Sequence, residues 1–146
     1  GNLKNLYFQD LVKQGGVEVY HDTIAWLKQQ REQGMKTAVI SASKNCKAIL
    51  EAANIEHLFD ALVDGVEAVK RNLKGKPAPD VFIEAARELN TTPAEAAVFE
   101  DALAGVEAGR AGDFALVVGI DRTGKATELL EHGADVVLQK FPTNEP

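Results

Sequence analysis

The sequence predicts an α/β domain built on a parallel sheet with helices on both faces. Three observations carry that prediction. Short apolar runs, Thr37-Ala38-Val39-Ile40, Ala61-Leu62-Val63 and Ala96-Ala97-Val98-Phe99, read as strands buried on both faces. Helical stretches separate them, which makes right-handed βαβ units and a parallel sheet. Each run ends in polar residues, at Ser41, at Asp64-Gly65 and at Glu100-Asp101. Open parallel sheets bind ligands beyond the carboxyl ends of their strands.

The elements follow in chain order. Leu3, Leu6, Tyr7 and Leu11 recur at helical spacing, and Gly15-Gly16 would stop that helix. The string Asn5-Leu6-Tyr7-Phe8-Gln9 also looks like part of a protease-recognition tag. Lys4 stands where such a tag needs Glu, and Asp10 where it prefers a small residue, so native helix is the expectation. Asp22 or Thr23 can cap a second helix carrying Ile24, Trp26 and Leu27 and stopping at Gly34. Residues 45–53 are helical after the first strand. Residues 79–89 form a helix with proline near its first turn. Residues 103–111 form another after the third strand. Residues 114–118 are a fourth strand, 126–131 a short helix, and Asp135-Val136-Val137-Leu138 a fifth strand at an edge.

Length and charge set limits. A chain of 146 residues holds one domain with a real core and is too short for two. Hydrophobic residues are 45% and charged residues 26%, ordinary for a globular protein. The net charge of −6, from 16 basic and 22 acidic residues, argues against nucleic acid as a partner. A few local cations can still attract a small anion. No long apolar stretch or leader-like N-terminus is present, so neither a membrane span nor a signal peptide is expected. Cys46 is the only cysteine, which makes a reducing, cytoplasmic setting the simpler expectation.

Three segments can carry chemistry. Ser41-Ala42-Ser43-Lys44-Asn45 lies between a strand end and a helix start, where free N–H groups and the helix dipole favour an anion. Ser43 could instead be a plain N-cap. In Gly75-Lys76-Pro77-Ala78-Pro79-Asp80, two prolines flank a loop that projects Lys76, a point charge suited to phosphate or carboxylate. Taken alone, an ordinary solvated lysine is the simpler reading. In Phe99-Glu100-Asp101-Ala102-Leu103-Ala104-Gly105, two adjacent carboxylates at a buried strand end are costly unless paired or bound to metal. Hard oxygen donors facing a phosphate suit Mg2+. The alternative is that Asp101 merely caps the following helix.

Together, a strand-end serine, a loop lysine and paired acids at a later strand end resemble motifs two, three and four of the haloacid-dehalogenase superfamily. The strings from Ile40 to Asn45, Gly75 to Phe82 and Phe99 to Val106 look like its β-phosphoglucomutase branch. The resemblance implies a three-layer, Rossmann-like core and a Mg2+-dependent phosphatase or phosphomutase working through an aspartyl-phosphate. Its substrate would be a small phosphorylated metabolite, a sugar phosphate by preference. Ser41 would hydrogen-bond the phosphoryl group and Lys76 would neutralise its charge. Glu100 and Asp101 would hold Mg2+. Ala42, Ser43, Lys44 and Asn45 would contact a substrate phosphate. Lys4 and Asn5 look like the Lys-Asn pair of the family's helical cap, making residues 1–14 a cap remnant, 15–141 the core and 142–146 a frayed tail.

The sequence contains no Asp-x-Asp, the family's first motif, whose first aspartate attacks phosphorus. The expectation is therefore a core without its central first strand and most of its cap, inactive alone. The strands ending in Ser41 and Glu100 would then close up and pair, or a second copy or a further N-terminal segment would complete the sheet. The competing class is a non-catalytic remnant that binds an anion or dimerises.

Overall fold

In the computed structural model, the protein is described over residues 5–9 and 21–142. A six-stranded sheet runs in the order β3-β2-β1-β4-β5-β6. Its strands are β1 (Asn5–Gln9), β2 (Lys36–Ile40), β3 (Ala61–Val63), β4 (Ala96–Glu100), β5 (Leu116–Ile120) and β6 (Val136–Leu138). Every neighbouring pair is parallel. The helices are α1 (His21–Glu32), α2 (Cys46–Ala52), α3 (Gly65–Lys70), α4 (Asp80–Glu88), α5 (Leu103–Ala111) and α6 (Ala126–His132).

Strand alternation builds two cores, one on each face. Ala38, Ile40, Val98 and Val117 point into a layer with Phe82, Ala85 and Ala86 of α4, Val106 of α5 and Leu129 of α6. Val39, Ala97, Phe99, Val118 and Ile120 point the other way, onto Leu27 of α1, Leu50 of α2, Ile55, Leu58 and Phe141. Trp26 packs in tilted contact with Phe99 and Phe141 at 4.9 and 5.2 Å between ring centres, and this fastens α1 to the sheet. The result is the three-layer α/β architecture expected.

The centre of the sheet overturns two expectations. Asn5–Gln9 is a strand, not part of a helix over residues 3–11, and it sits between β2 and β4. The two strands expected to pair directly are thus held apart by a strand of the same chain, and the described sheet needs no second copy to close it. The physical reason is pairing. An empty slot would leave the inner N–H and C=O groups of β2 and β4 without partners, and buried backbone groups are rarely left so. The continuous run Leu6-Tyr7-Phe8 is as consistent with a short buried strand as with a helix turn. Residues 5–9 therefore belong to the sheet rather than to a cap remnant. The expected return segment, residues 15–20, lies outside the described residues, as does most of the expected frayed tail.

Smaller corrections follow the same logic. The fourth predicted strand is shifted to Leu116–Ile120, because Phe114 leaves the ladder and packs edge-on against Phe82 at 6.0 Å. Helix α3 is an element that the sequence pattern does not mark. Its start is fixed by Asp64, whose side chain accepts from the Glu67 N–H at 2.9 Å. Helix α1 begins at His21, so Asp22 and Thr23 lie in its first turn rather than at its cap.

The chain runs from β1 through β2 to β3 at one edge, then returns to β4 and continues to β6. The direction reverses between β1 and β4, and a crevice opens at such a switch point beyond the carboxyl ends of the strands.

Candidate active site at the carboxyl edge

Glu100 is the last residue of β4 and is fully buried. Its Oε1 accepts from the N–H groups of Asp101 and Ala102 at 3.2 and 3.1 Å. Its Oε2 faces Lys76 Nζ at 3.6 Å. These amides lead directly into α5, so the carboxylate lies against the positive end of that helix. Helix α5 has no side-chain cap, and Ala102 holds the cap position. The expected alternative, Asp101 as a helix cap, is thus not what the structure shows. The upstream glutamate takes the amides, and Asp101 is left partly exposed beside it.

Lys76 comes from the loop between α3 and α4, 24 positions before Glu100 in sequence. A turn closed by Ala78 N–H on Gly75 C=O at 3.1 Å shapes that loop, the Lys76–Pro77 peptide is cis, and Asp80 accepts from Lys74 N–H at 3.1 Å. The lysine side chain is 15% exposed. It is a largely buried cation turned toward the edge, not a solvated loop lysine.

Ser41 follows β2, and its N–H donates to Val63 C=O at 3.0 Å. Its Oγ accepts from Ser43 N–H at 3.1 Å, and Ser43 Oγ accepts from Asn45 N–H at 3.1 Å. Asn45 holds the cap position of α2 without a side-chain bond, so Ser43 shapes the turn before the helix rather than capping it. Each hydroxyl used as an acceptor keeps its own proton to donate. Gly65 N–H donates to Ser43 C=O at 3.1 Å, and a Cβ on Gly65 would lie 2.5 Å from Ala42 O, so this turn packs tightly on the next strand end. Ala42, Lys44 and Asn45 are exposed at the rim.

Parallel pairing places Ser41 and Glu100 at the same edge of the sheet. They flank β1 at two strand spacings, about 10 Å. Asn5 is not brought there. It pairs with Lys36 and Ala96 at the strand starts, about 13 Å from the carboxyl edge at about 3.3 Å per residue. An N-terminal strand running toward the edge has its first residue at the far end. Lys4 lies outside the described residues.

A polar group that the sequence could not reveal adjoins this edge. Asp22 accepts from Phe141 N–H at 2.7 Å and pairs with Arg122 at 3.2 Å, while Arg122 also donates to Thr23 Oγ1 at 3.1 Å. Burial works to raise the Asp22 carboxyl, but the Phe141 amide and the Arg122 guanidinium hold it below its usual value. Asp121, next to Arg122, accepts from the N–H groups of Thr123, Gly124 and Lys125 at 3.1, 2.7 and 2.8 Å. These backbone bonds, that from Lys125 foremost, hold its carboxyl low against the opposing effect of burial. Asp22 and Phe141 are 119 positions apart, and no local pattern joins them.

The sequence profile of the haloacid dehalogenase-like hydrolases matches residues 4–113. The chain belongs to that family. It is 45% identical over 141 residues to a β-phosphoglucomutase of Mycobacterium tuberculosis, covering 94% of this chain and 54% of that protein. The crystal structure of β-phosphoglucomutase from Clostridium difficile superposes with a TM-score of 0.72 at 26% identity, over 84% of this chain and 50% of the other. A family hydrolase from Deinococcus radiodurans, solved with bound phosphate and sodium, gives 0.71 at 26% identity, over 82% and 54%. The chain thus spans about half the length of each of these three relatives.

Glu100 and Asp101 supply the hard oxygen donors that Mg2+ prefers. Among the described residues no group of three or more His, Cys, Asp or Glu side chains gathers as a metal cage. Two carboxylates completed by water and substrate phosphate are nonetheless a common way to hold Mg2+, so the donor set fits the ion as part of a site. Among the described residues no helix is long and apolar enough to cross a membrane.

Proposed function

We propose that this chain supplies the phosphate-holding and metal-holding half of a phosphoryl-transfer site for a small phosphorylated metabolite, a sugar phosphate by preference. The observation that carries the reading is the buried Glu100 with Lys76 Nζ 3.6 Å from it, at the edge where the Ser41 turn also ends. The relatives named as β-phosphoglucomutases support the choice of substrate class. Ser41 donates its hydroxyl proton to a phosphoryl oxygen. Lys76 offsets the charge that gathers there, and the Ser43, Lys44 and Asn45 turn holds a substrate phosphate at the rim. Glu100 and Asp101 hold Mg2+, which when bound neutralises phosphoryl oxygens.

Phosphoryl transfer rests on positioning and charge stabilisation, but it still needs an attacking group. No Asp-x-Asp is present in the sequence, so in our reading this chain binds without turning over. In a longer protein that supplies the aspartate, its carboxylate would displace the substrate alcohol from phosphorus, with the alcohol taking up a proton. Water or a second hydroxyl would then release the aspartyl-phosphate. One observation favours a second reading. Strand β1 occupies the slot between β2 and β4, and the next residue in sequence is Asp10, a carboxylate of the attacking type.

Turnover of an aryl phosphate with Mg2+, by a sample whose intact mass matches residues 1–146, tests both. The first reading expects no turnover. Robust turnover lost in both Asp101→Ala and Asp10→Asn would overturn it in favour of the second. Turnover insensitive to Asp101→Ala would sink the proposed site altogether.

A further inference from the structure

Glycine in a helix interior is normally unfavourable relative to alanine. Gly105, in the first turn of α5, is an exception with a specific cause. A Cβ built there would lie 1.9 Å from the Glu100 carboxyl carbon, 2.0 Å from its Cγ and 2.1 Å from its Oε2. The Glu100 side chain occupies the very volume that any other residue at position 105 would fill. Gly109, one turn later on the same helix, differs in kind. The nearest atoms to its Cβ would be those of the Val117 and Val98 side chains, at 3.1 to 3.5 Å.

We infer that Gly105 is a positioning residue for the candidate site: its missing side chain lets the Glu100 carboxylate fold back over α5. There Oε1 reaches the Asp101 and Ala102 amides while Oε2 faces Lys76. The inference deepens the proposed function, on which its bearing on metal binding rests. Any side chain at position 105 drives the carboxylate off the amides and away from Lys76. Glu100 is itself fully buried, on a strand buried along its whole length.

Amide hydrogen exchange in Gly105→Ala, with Gly109→Ala as the control, reads this geometry without metal or substrate. The expected result is a selective loss of protection, tenfold or more, at Asp101 and Ala102. The β4 amides should stay protected in Gly105→Ala, and all of these amides should stay protected in Gly109→Ala. Unchanged protection at Asp101 and Ala102, or loss spread evenly across β4, would overturn the assignment. If Gly105→Ala does not fold, the pair Gly105→Ala with Glu100→Ala decides. Folding of the double variant supports the clash with Glu100, and failure of both refutes it. Mn2+ binding, followed by the electron-spin signal of the free ion, then bears on the parent reading. Wild type that binds and Gly105→Ala that binds tenfold more weakly support both. Equal binding by the two overturns the positioning role. Wild type that does not bind removes the metal assignment while the exchange data still decide Gly105.

Discussion

Replacing Asp22 by alanine tests whether the carboxyl edge is tied together through one side chain. The carboxylate accepts the Phe141 amide at 2.7 Å and both of its oxygens lie 3.2 Å from Arg122 Nη2. A hydrogen bond to a charged acceptor contributes about 1.5–3 kcal/mol, and a partly exposed ion pair about 0–1 kcal/mol. Asp22 is 22% exposed, so water can replace part of what is lost. The net expectation is a loss of about 2 kcal/mol. For a domain of this size that lowers Tm by about 4–8 °C, at about 2–4 °C per kcal/mol. The folded carboxyl is held below its usual 3.8. Its contribution is therefore fully present above the unfolded value and is lost as pH falls through the lower, folded one. Urea denaturation of wild type and Asp22→Ala, at neutral pH and then in acid below the usual aspartate value, should show a gap that narrows in acid. A gap that is absent at neutral pH, or that persists undiminished once the carboxylate is protonated, would refute the linkage.

Three further outcomes are expected. Asp121→Ala should lower Tm at neutral pH and much less in acid, because its depressed carboxyl stabilises the fold only while ionised; thermal scans at the two pH values check this. Backbone nuclear Overhauser contacts should link Tyr7 to both Ala38 and Val98, its partners on either side; contacts of helical spacing within residues 5–9 would overturn the placement of β1. In a longer relative that turns over a phosphate ester, Lys76→Ala should slow kcat by an amount equivalent to about 3 kcal/mol, the scale of one lost oxyanion donor. A kcat within threefold of wild type would remove Lys76 from the site.

What the sequence determined by itself is what depends on neighbours in sequence. Thr37-Ala38-Val39-Ile40 and Ala96-Ala97-Val98-Phe99 are short apolar runs closed by polar residues, and both are strands within one residue of the expected ends. Residues 103–111 form a helix with the bounds expected, an alanine-rich run that carries through in spite of Gly105 and Gly109. Strand-end placement of Ser41 and Glu100 followed from the same patterning, since a parallel sheet gathers its carboxyl ends at one edge. Tertiary structure decided the rest. The run Leu6-Tyr7-Phe8 fits helix or strand locally, and the inner edges of β2 and β4 selected strand by pairing with it. The strings around positions 100 and 101 name two acids, but only the folded chain shows that Glu100 takes the amides and meets Lys76, and that Gly105 leaves it room. Asp22 looked like a helix cap because caps are local, whereas its partners Arg122 and Phe141 reach it only after the sheet has brought the chain's two ends together.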